Sequence, residues 1–189
     1  MYYIHEIFYS LQGEGANAGK PVVFIRFAGC NLNCGFCDTP RIKGKLMTAN
    51  QVLKYTKLVA PKCKSVIFTG GEPLLQLDTQ IIDTFSGYWK GLETNGTRAI
   101  PAGLDYVTVS PKGQLCEGNQ QRPIEELRYP IKHGDQCPPV EYCAEYRYLS
   151  PIFDGLDLNL QNLQWAIKLC KQNPAFSLSV QQHKLWRIR

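Results

Sequence analysis

The chain of 189 residues contains no run of about eighteen consecutive apolar residues, the length a helix needs to cross a bilayer, so it offers no membrane span. Its first residues, Met1-Tyr2-Tyr3-Ile4-His5-Glu6, have neither the basic segment nor the apolar core of a secretory signal, and the expectation is a cytoplasmic protein. There is no internal repeat and no low-complexity tract. A concentrated basic stripe is missing too. Net charge is +5, from 21 basic and 16 acidic residues, and apart from Lys184, Arg187 and Arg189 the cations are dispersed along the chain. A nucleic-acid footprint would be denser, so no nucleic-acid partner is expected, and the mild excess suits small anionic ligands. What is present is one domain's length, residues 1–189, with an apolar fraction of 44% that can fill a full core.

Cysteine is plentiful, with eight residues. In a cytoplasmic chain this points to metal binding or catalysis before disulfides. Cys30, Cys34 and Cys37 fall within eight positions, spaced C-x3-C-x2-C. Thiolates favour iron–sulfur clusters, zinc and Cu(I). A closed zinc site needs four protein ligands, and no fourth cysteine or histidine lies nearby in sequence. A [4Fe–4S] cluster held by three cysteines keeps one iron open for a substrate or cofactor. Two alternatives stand beside this reading: three unrelated reduced thiols, or zinc with a distant fourth ligand. Cys116, Cys137 and Cys143 match no tight ligand pattern and read as free thiols, with a second metal site as the alternative.

The apolar patterning sets out alternating strands and helices. Strands are expected at 3–9, at 22–27 after Pro21, at 65–69, from 91, at 106–109, 129–132, 146–149 and 176–180. Thr48-Ala49-Asn50-Gln51 is a capping box that opens a helix over 49–59. Further helices are expected over 78–87 and 159–172, the last with Leu160, Leu163, Ile167 and Cys170 on one face. Residues 95–104 and 111–127 read as connections broken by glycine and proline. Too few helices serve these strands for a full barrel, so the expected fold is α/β: an open, partial (β/α) barrel with reduced helical crossovers.

Polar motifs follow several of these strands: Thr69-Gly70-Gly71-Glu72-Pro73, Glu93-Thr94-Asn95-Gly96 and Ser110-Pro111-Lys112. In a parallel barrel such strand ends converge on one mouth. Two glycines let backbone approach a ligand closely, and Glu72 can accept from an ammonium. Each motif taken alone is also an ordinary turn.

Taken with Glu6 through Gly15 (EIFYSLQGEG), Arg26-Phe27-Ala28-Gly29-Cys30-Asn31-Leu32, Cys37-Asp38-Thr39, Asp154-Gly155 and Gln181-Gln182-His183-Lys184, these motifs make the chain resemble the 7-carboxy-7-deazaguanine synthases of the radical S-adenosylmethionine (SAM) superfamily. The resemblance runs from residue 6 to residue 184. It implies a barrel of the radical SAM type and a ring contraction. A 6-carboxy-tetrahydropterin becomes 7-carboxy-7-deazaguanine with loss of ammonia, in 7-deazapurine (queuosine) biosynthesis. It implies that Cys30, Cys34 and Cys37 hold a [4Fe–4S] cluster, and that Thr39 holds Mg²⁺. SAM contacts map to Phe36, Asp38, Gly71, Glu72, Glu93, Asn95, Ser110, Pro111, Lys112, Pro151, Ile152, Phe153 and Asp154. Substrate contacts map to Leu11, Gln12, Gly13, Glu14, Arg26, Thr69 and His183, with the chain's last residue, Arg189, reaching the substrate through its carboxylate. Arg26 suits a carboxylate fork; it also reads as one half of an ion pair, and His183 as a surface histidine. A homodimer and an electron donor such as a flavodoxin are implied as well. The competing readings are a radical SAM activase that acts on a partner protein, and a non-catalytic zinc or iron–sulfur module. Gln182, where the family commonly has Thr, and the stretch 113–145 depart from the pattern.

Overall fold

The fold grows from one sheet, in a computed structural model that describes residues 1–37, 44–120 and 124–189. Nine strands lie in the order β3-β1-β2-β4-β5-β6-β7-β8-β9. They are β1 (Tyr2–Leu11), β2 (Pro21–Phe27), β3 (Lys45–Met47), β4 (Ser65–Gly70), β5 (Trp89–Thr94), β6 (Tyr106–Val109), β7 (Ile124–Ile131), β8 (Ala144–Pro151) and β9 (Ser177–Leu178). β1 is antiparallel to β2 and to β3, whereas β2 and every strand beyond it run parallel. Among the described residues β3 and β9 are unpaired on their outer sides, so the sheet is an open barrel wall rather than a closed cylinder.

Helices α1 (Ala49–Val59), α2 (Thr79–Thr84) and α4 (Leu160–Gln172) cover the outer face, and two short helices follow β6 and β9, α3 (Glu117–Gln120) and α5 (Gln182–Trp186). α1 begins where the sequence predicts: Gln51 N–H donates to Thr48 Oγ1 at 3.2 Å, and Thr48 N–H donates back to Gln51 Oε1 at 2.8 Å. Asp78 caps α2 and also accepts from the Tyr2 hydroxyl at 2.7 Å, which fastens that helix to β1. Val23, Ile25 and Phe27 of β2 join Val66, Phe68, Ile81, Ile82, Phe85 and Leu92 in the main core between sheet and helices. The opposite side of the same strands carries Val22, Phe24 and Ile67, packed with Phe8 and Trp89 into a small apolar floor inside the barrel. The side-chain alternation of a strand thus supplies a core on one face and an inner wall on the other.

The crossovers are reduced as expected. β5 joins β6 and β7 joins β8 without a helix, and β6 reaches β7 with only the short α3. Several details differ from the sequence reading. β7 starts at Ile124 rather than 129, because its inward positions are charged and hide the strand period. The last strand is only Ser177–Leu178, α2 is shorter than 78–87, and β3 and α5 carry no sequence signal strong enough to expect them. α4 is turned relative to its expected face. Its buried side is Asn162, Ala166 and Leu169, while Leu160 is 65% exposed. A polar residue causes the rotation: Asn162 accepts from His133 N–H at 2.8 Å and donates to Ile152 C=O at 2.8 Å, tying the ends of β7 and β8 to the helix.

Candidate active site at the carboxyl ends of the strands

Parallel strands deliver their carboxyl ends to one mouth. There a cavity of about 240 Å³ opens, with Cys30, Cys34 and Cys37 on one side and residues from β4 to β8 on the other. None of the eight cysteines is in a disulfide. Cys30 Sγ accepts from Leu32 N–H at 3.4 Å, the kind of backbone donor that stabilises a thiolate. The loop carrying these thiols is laced to the neighbouring strand ends. Gly71 N–H donates to Phe27 C=O at 3.1 Å and Glu72 N–H to Gly29 C=O at 2.9 Å. A methyl group on Gly71 would lie 2.1 Å from Gly29 O, so glycine is needed here for the approach of two backbones. Beyond it, Asn95 Nδ2 donates to Asn31 Oδ1 at 3.1 Å, and Asn31 Nδ2 donates to Thr97 Oγ1 at 2.9 Å.

Glu72 underpins this lacing. It is fully buried, and its carboxylate accepts from Leu74 N–H at 2.9 Å, Thr94 Oγ1 at 2.7 Å and Asn95 N–H at 2.7 Å. Burial raises its pKa, against the pull of those three donors and of Lys112. The side chain expected to meet an ammonium therefore faces the protein and does not line the cavity. Lys112 does line it. Its ammonium donates to Ser110 Oγ at 2.7 Å and to Ser110 C=O at 3.0 Å, and it stands 5.9 Å from the centre of the Phe36 ring. Burial lowers its pKa, although the surrounding Cys34, Glu72, Cys37 and Glu14 oppose the shift.

On the far wall Glu93 accepts from Gln12 Nε2 at 2.9 Å and from Thr69 Oγ1 at 2.9 Å. Gln12, itself buried, accepts from Gly13 N–H at 2.8 Å and Glu14 N–H at 3.2 Å, so its amide fixes the glycine-rich loop after β1. The resemblance maps Glu93 to SAM, and both of its partners here, Gln12 and Thr69, to the substrate. Burial pushes its pKa up, but Arg128, with help from Gln12, Thr69 and Arg26, overrides this and holds it below the ordinary carboxylate value.

The remaining expectations divide. Phe36, Gly71, Asn95, Ser110, Lys112, Pro151, Ile152, Phe153, Glu14 and Thr69 line the cavity. Pro111 and Asp154 do not; Asp154 is exposed and accepts from Asn159 Nδ2 at 2.7 Å. Leu11 is exposed. Gly13 packs directly on the ring of His183, where an added methyl would lie 2.2 Å from Nδ1. Arg26 Nε donates to Glu6 Oε1 at 3.0 Å, so the ion-pair reading describes its contact. Arg189 also pairs with Glu6, its backbone carbonyl accepts from the Ser10 hydroxyl, and its guanidinium lies 5.1 Å from the Phe8 ring centre. Neither arginine lines the cavity. Asp38 and Thr39 lie outside the described residues.

Arg128, Ser150, Gln181 and Lys184 line the cavity without having been anticipated. Arg128 had a sequence signal: Glu126, Arg128 and Pro130 recur with period two, which would have placed all three on one inward face had β7 been read from its true start.

Three thiols on one loop beside a parallel-strand mouth define a class, the radical SAM proteins, and the profile of the Radical SAM superfamily matches residues 24–113. Such proteins use a [4Fe–4S] cluster and SAM, with a small-molecule substrate and a reductant. The chain belongs to the 7-carboxy-7-deazaguanine synthase family. It is 39% identical over 189 residues to the 7-carboxy-7-deazaguanine synthase of Bacteroides thetaiotaomicron, with 98% of each chain covered. It is 36% identical to that of Burkholderia multivorans, with 99% of each covered. The crystal structure of QueE from Escherichia coli shares the fold, at TM-score 0.74 and 24% identity over 96% of this chain and 94% of that one.

The residues fit the cluster and SAM. Among the described residues no fourth cysteine or histidine lines the cavity, so three thiols would leave one iron open. Ser150, which is 7% exposed, turns a buried hydroxyl with no partner among the described residues onto the cavity wall, as a site for a polar ligand requires.

Proposed function

We propose that this chain converts 6-carboxy-5,6,7,8-tetrahydropterin to 7-carboxy-7-deazaguanine and ammonia, as a radical SAM lyase of 7-deazapurine biosynthesis. The observation that carries the reading is Glu93. Its carboxylate binds Gln12 and Thr69, two residues assigned to the pterin, on the wall of the cavity that Cys30, Cys34 and Cys37 also line. The near full-length similarity to synthases of that name supports the same substrate.

In this reading Cys30, Cys34 and Cys37 ligate the cluster, which with SAM supplies a carbon radical able to remove hydrogen from the pterin. The protein's own part is binding and orientation. Phe36, Gly71, Asn95, Ser110 and Lys112, with 151–153, hold SAM between the cluster loop and the ends of β6 and β8. Lys112 balances negative charge from the thiolates. Gln12, Glu14, Thr69 and Glu93 hold the pterin ring, whose N–H and amino groups are donors that carboxylates and amide oxygens accept. Arg26 serves the substrate carboxylate by exchanging Glu6 for it, and His183 closes over Gly13. Thr39 is the Mg²⁺ ligand, a role for one hydroxyl that suits an ion keeping several waters. Because product and ammonia together contain every atom of the substrate, the net reaction is redox-neutral, and the reductant serves only to start the radical. A flavodoxin-like donor, a homodimeric state and a cytoplasmic location complete the reading.

The test is anaerobic incubation of reconstituted, reduced protein with SAM, Mg²⁺ and 6-carboxy-tetrahydropterin, followed by product analysis. Formation of carboxy-deazaguanine and ammonia is expected. Cleavage of SAM without that product would defeat the substrate assignment.

A further inference from the structure

Arg128 lies among three carboxylates that the sequence scatters from residue 14 to residue 126. Its guanidinium is divided between them. Nε donates to Glu126 Oε1 at 2.9 Å and Nη2 pairs with the same carboxylate, so one edge of the fork is anchored. The remaining nitrogen, Nη1, stands 3.3 Å from Glu14 Oε2 and 3.4 Å from Glu93 Oε1. The anchor is itself fixed. Glu126 is fully buried and accepts from the Tyr106 hydroxyl at 3.0 Å and from Ala16 N–H at 3.0 Å. It also packs on Gly15, where a side chain would lie 2.2 Å from its oxygens and where φ is +67°. The loop bearing Glu14 and the strand bearing Glu93 are thus joined through one guanidinium at the cavity wall.

We propose that Arg128 is a positioning residue that sets Glu14 and Glu93 as a pair of carboxylate acceptors for the amino-pyrimidinone edge of the substrate. The inference rests on the pterin reading above and adds the residue that makes its acceptor pair. The chemistry matches. That ring edge offers an N–H and an exocyclic amine, both donors, and a donor edge is held by charged acceptors at fixed separation. One guanidinium among three carboxylates leaves the wall short of positive charge, which discourages a second anion and favours a donor-rich ring. The Ser150 hydroxyl, buried on the wall of the same cavity and without a hydrogen-bond partner among the described residues, indicates a polar ligand in that cavity. Lysine could replace the charge but not the fork.

The groups facing Glu93 are Arg128 from β7, Gln12 from the loop after β1, Thr69 from β4 and the more distant Arg26 from β2, while Glu14 and Glu126 reach it through Arg128. Removing Arg128 takes away the largest influence that keeps Glu93 ionised, so its pKa should rise.

The experiment is equilibrium dialysis of reconstituted protein against 6-carboxypterin, a stable oxidised relative of the substrate, over a range of pH, with SAM binding measured in parallel. The variants are Arg128→Lys and the double change Arg128→Met with Glu126→Gln, which avoids stranding the buried Glu126 charge. The double variant should bind 6-carboxypterin about tenfold more weakly, the worth of one charge-assisted hydrogen bond. Its binding should also fail at a higher pH on acidification than in the parent, with SAM affinity unchanged. Arg128→Lys should weaken binding while keeping the parent's pH dependence. Parental affinity and pH dependence in the double variant would overturn the proposal, as would loss of SAM binding in place of pterin binding. If the double variant does not fold, Arg128→Lys decides, because parental affinity there rules out the fork. Failure of the parent protein to bind the pterin would instead sink the substrate reading, and this inference with it.

Discussion

The wall built by β1, β2, β4, β5 and β6 and the wall built by β7, β8 and the C-terminal segment face the same cavity, yet they are made differently. The first presents contiguous motifs, Cys30 to Cys37, Thr69 to Pro73 and Glu93 to Gly96, in which backbone groups bond to the next loop. The second presents isolated side chains, Arg128, Ser150 and Lys184, each on a different element. The difference teaches that a wall laced by backbone hydrogen bonds needs consecutive residues at fixed geometry, whereas single side chains with charge and reach can be set into the other wall one at a time.

Substitutions rank this contrast. Replacing any of Cys30, Cys34 or Cys37 by Ser should abolish turnover and cut iron content. The same change at Cys116 or Cys143 should leave both intact, as measured by iron analysis and product formation. Next is Gly71→Ala, which forces a methyl into Gly29 C=O and displaces the cluster loop. A loss of about 100-fold in rate is expected, since misplacement by about an ångström has that cost. Glu72→Leu removes the acceptor for three buried donors, and at about 1 kcal/mol or more for each unsatisfied group it should cost roughly 3 kcal/mol or more in denaturant unfolding. On the second wall, Asn159→Ala removes the cap of α4 and an exposed hydrogen bond to Asp154, and should cost about 1 kcal/mol with little effect on rate per folded molecule.

Titration separates two glutamates of the first wall. Glu93 has a folded pKa below its ordinary 4.5, so it binds fewer protons folded than unfolded. Its contribution to stability is present above that value and is lost as pH falls through the lowered folded pKa. Glu72 has a raised pKa, so its contribution has the opposite sign and weakens as pH rises above 4.5 toward the folded value. Glu93→Gln should therefore flatten the acid side of the stability–pH curve, and Glu72→Gln the less acidic side, in melting experiments across pH.

The sequence made the first wall readable because its chemistry is local. A capping box, a C-x3-C-x2-C loop and β-branched runs announce α1, the cluster loop and β2 directly. It concealed the second wall because Glu126 and Arg128 put charges where a strand of this kind is usually apolar, and because the buried Asn162 turned α4 away from its apolar stripe. Nothing in the sequence marked the partners of Glu72 either, whose carboxylate accepts from Thr94, Asn95 and Leu74 on neighbouring segments. Arg26 reads from sequence both as a carboxylate fork and as half of an ion pair, and Glu6 is the ion-pair partner.

The central claim is a cluster held by three thiolates with an iron left for SAM. Electron paramagnetic resonance of the reconstituted, reduced protein, recorded before and after SAM is added, tests it most directly. The account predicts a [4Fe–4S] signal whose line positions move when SAM binds, and no such signal once Cys34 is replaced by Ser. A spectrum indifferent to SAM, or a protein that takes up zinc and stays colourless, would contradict it.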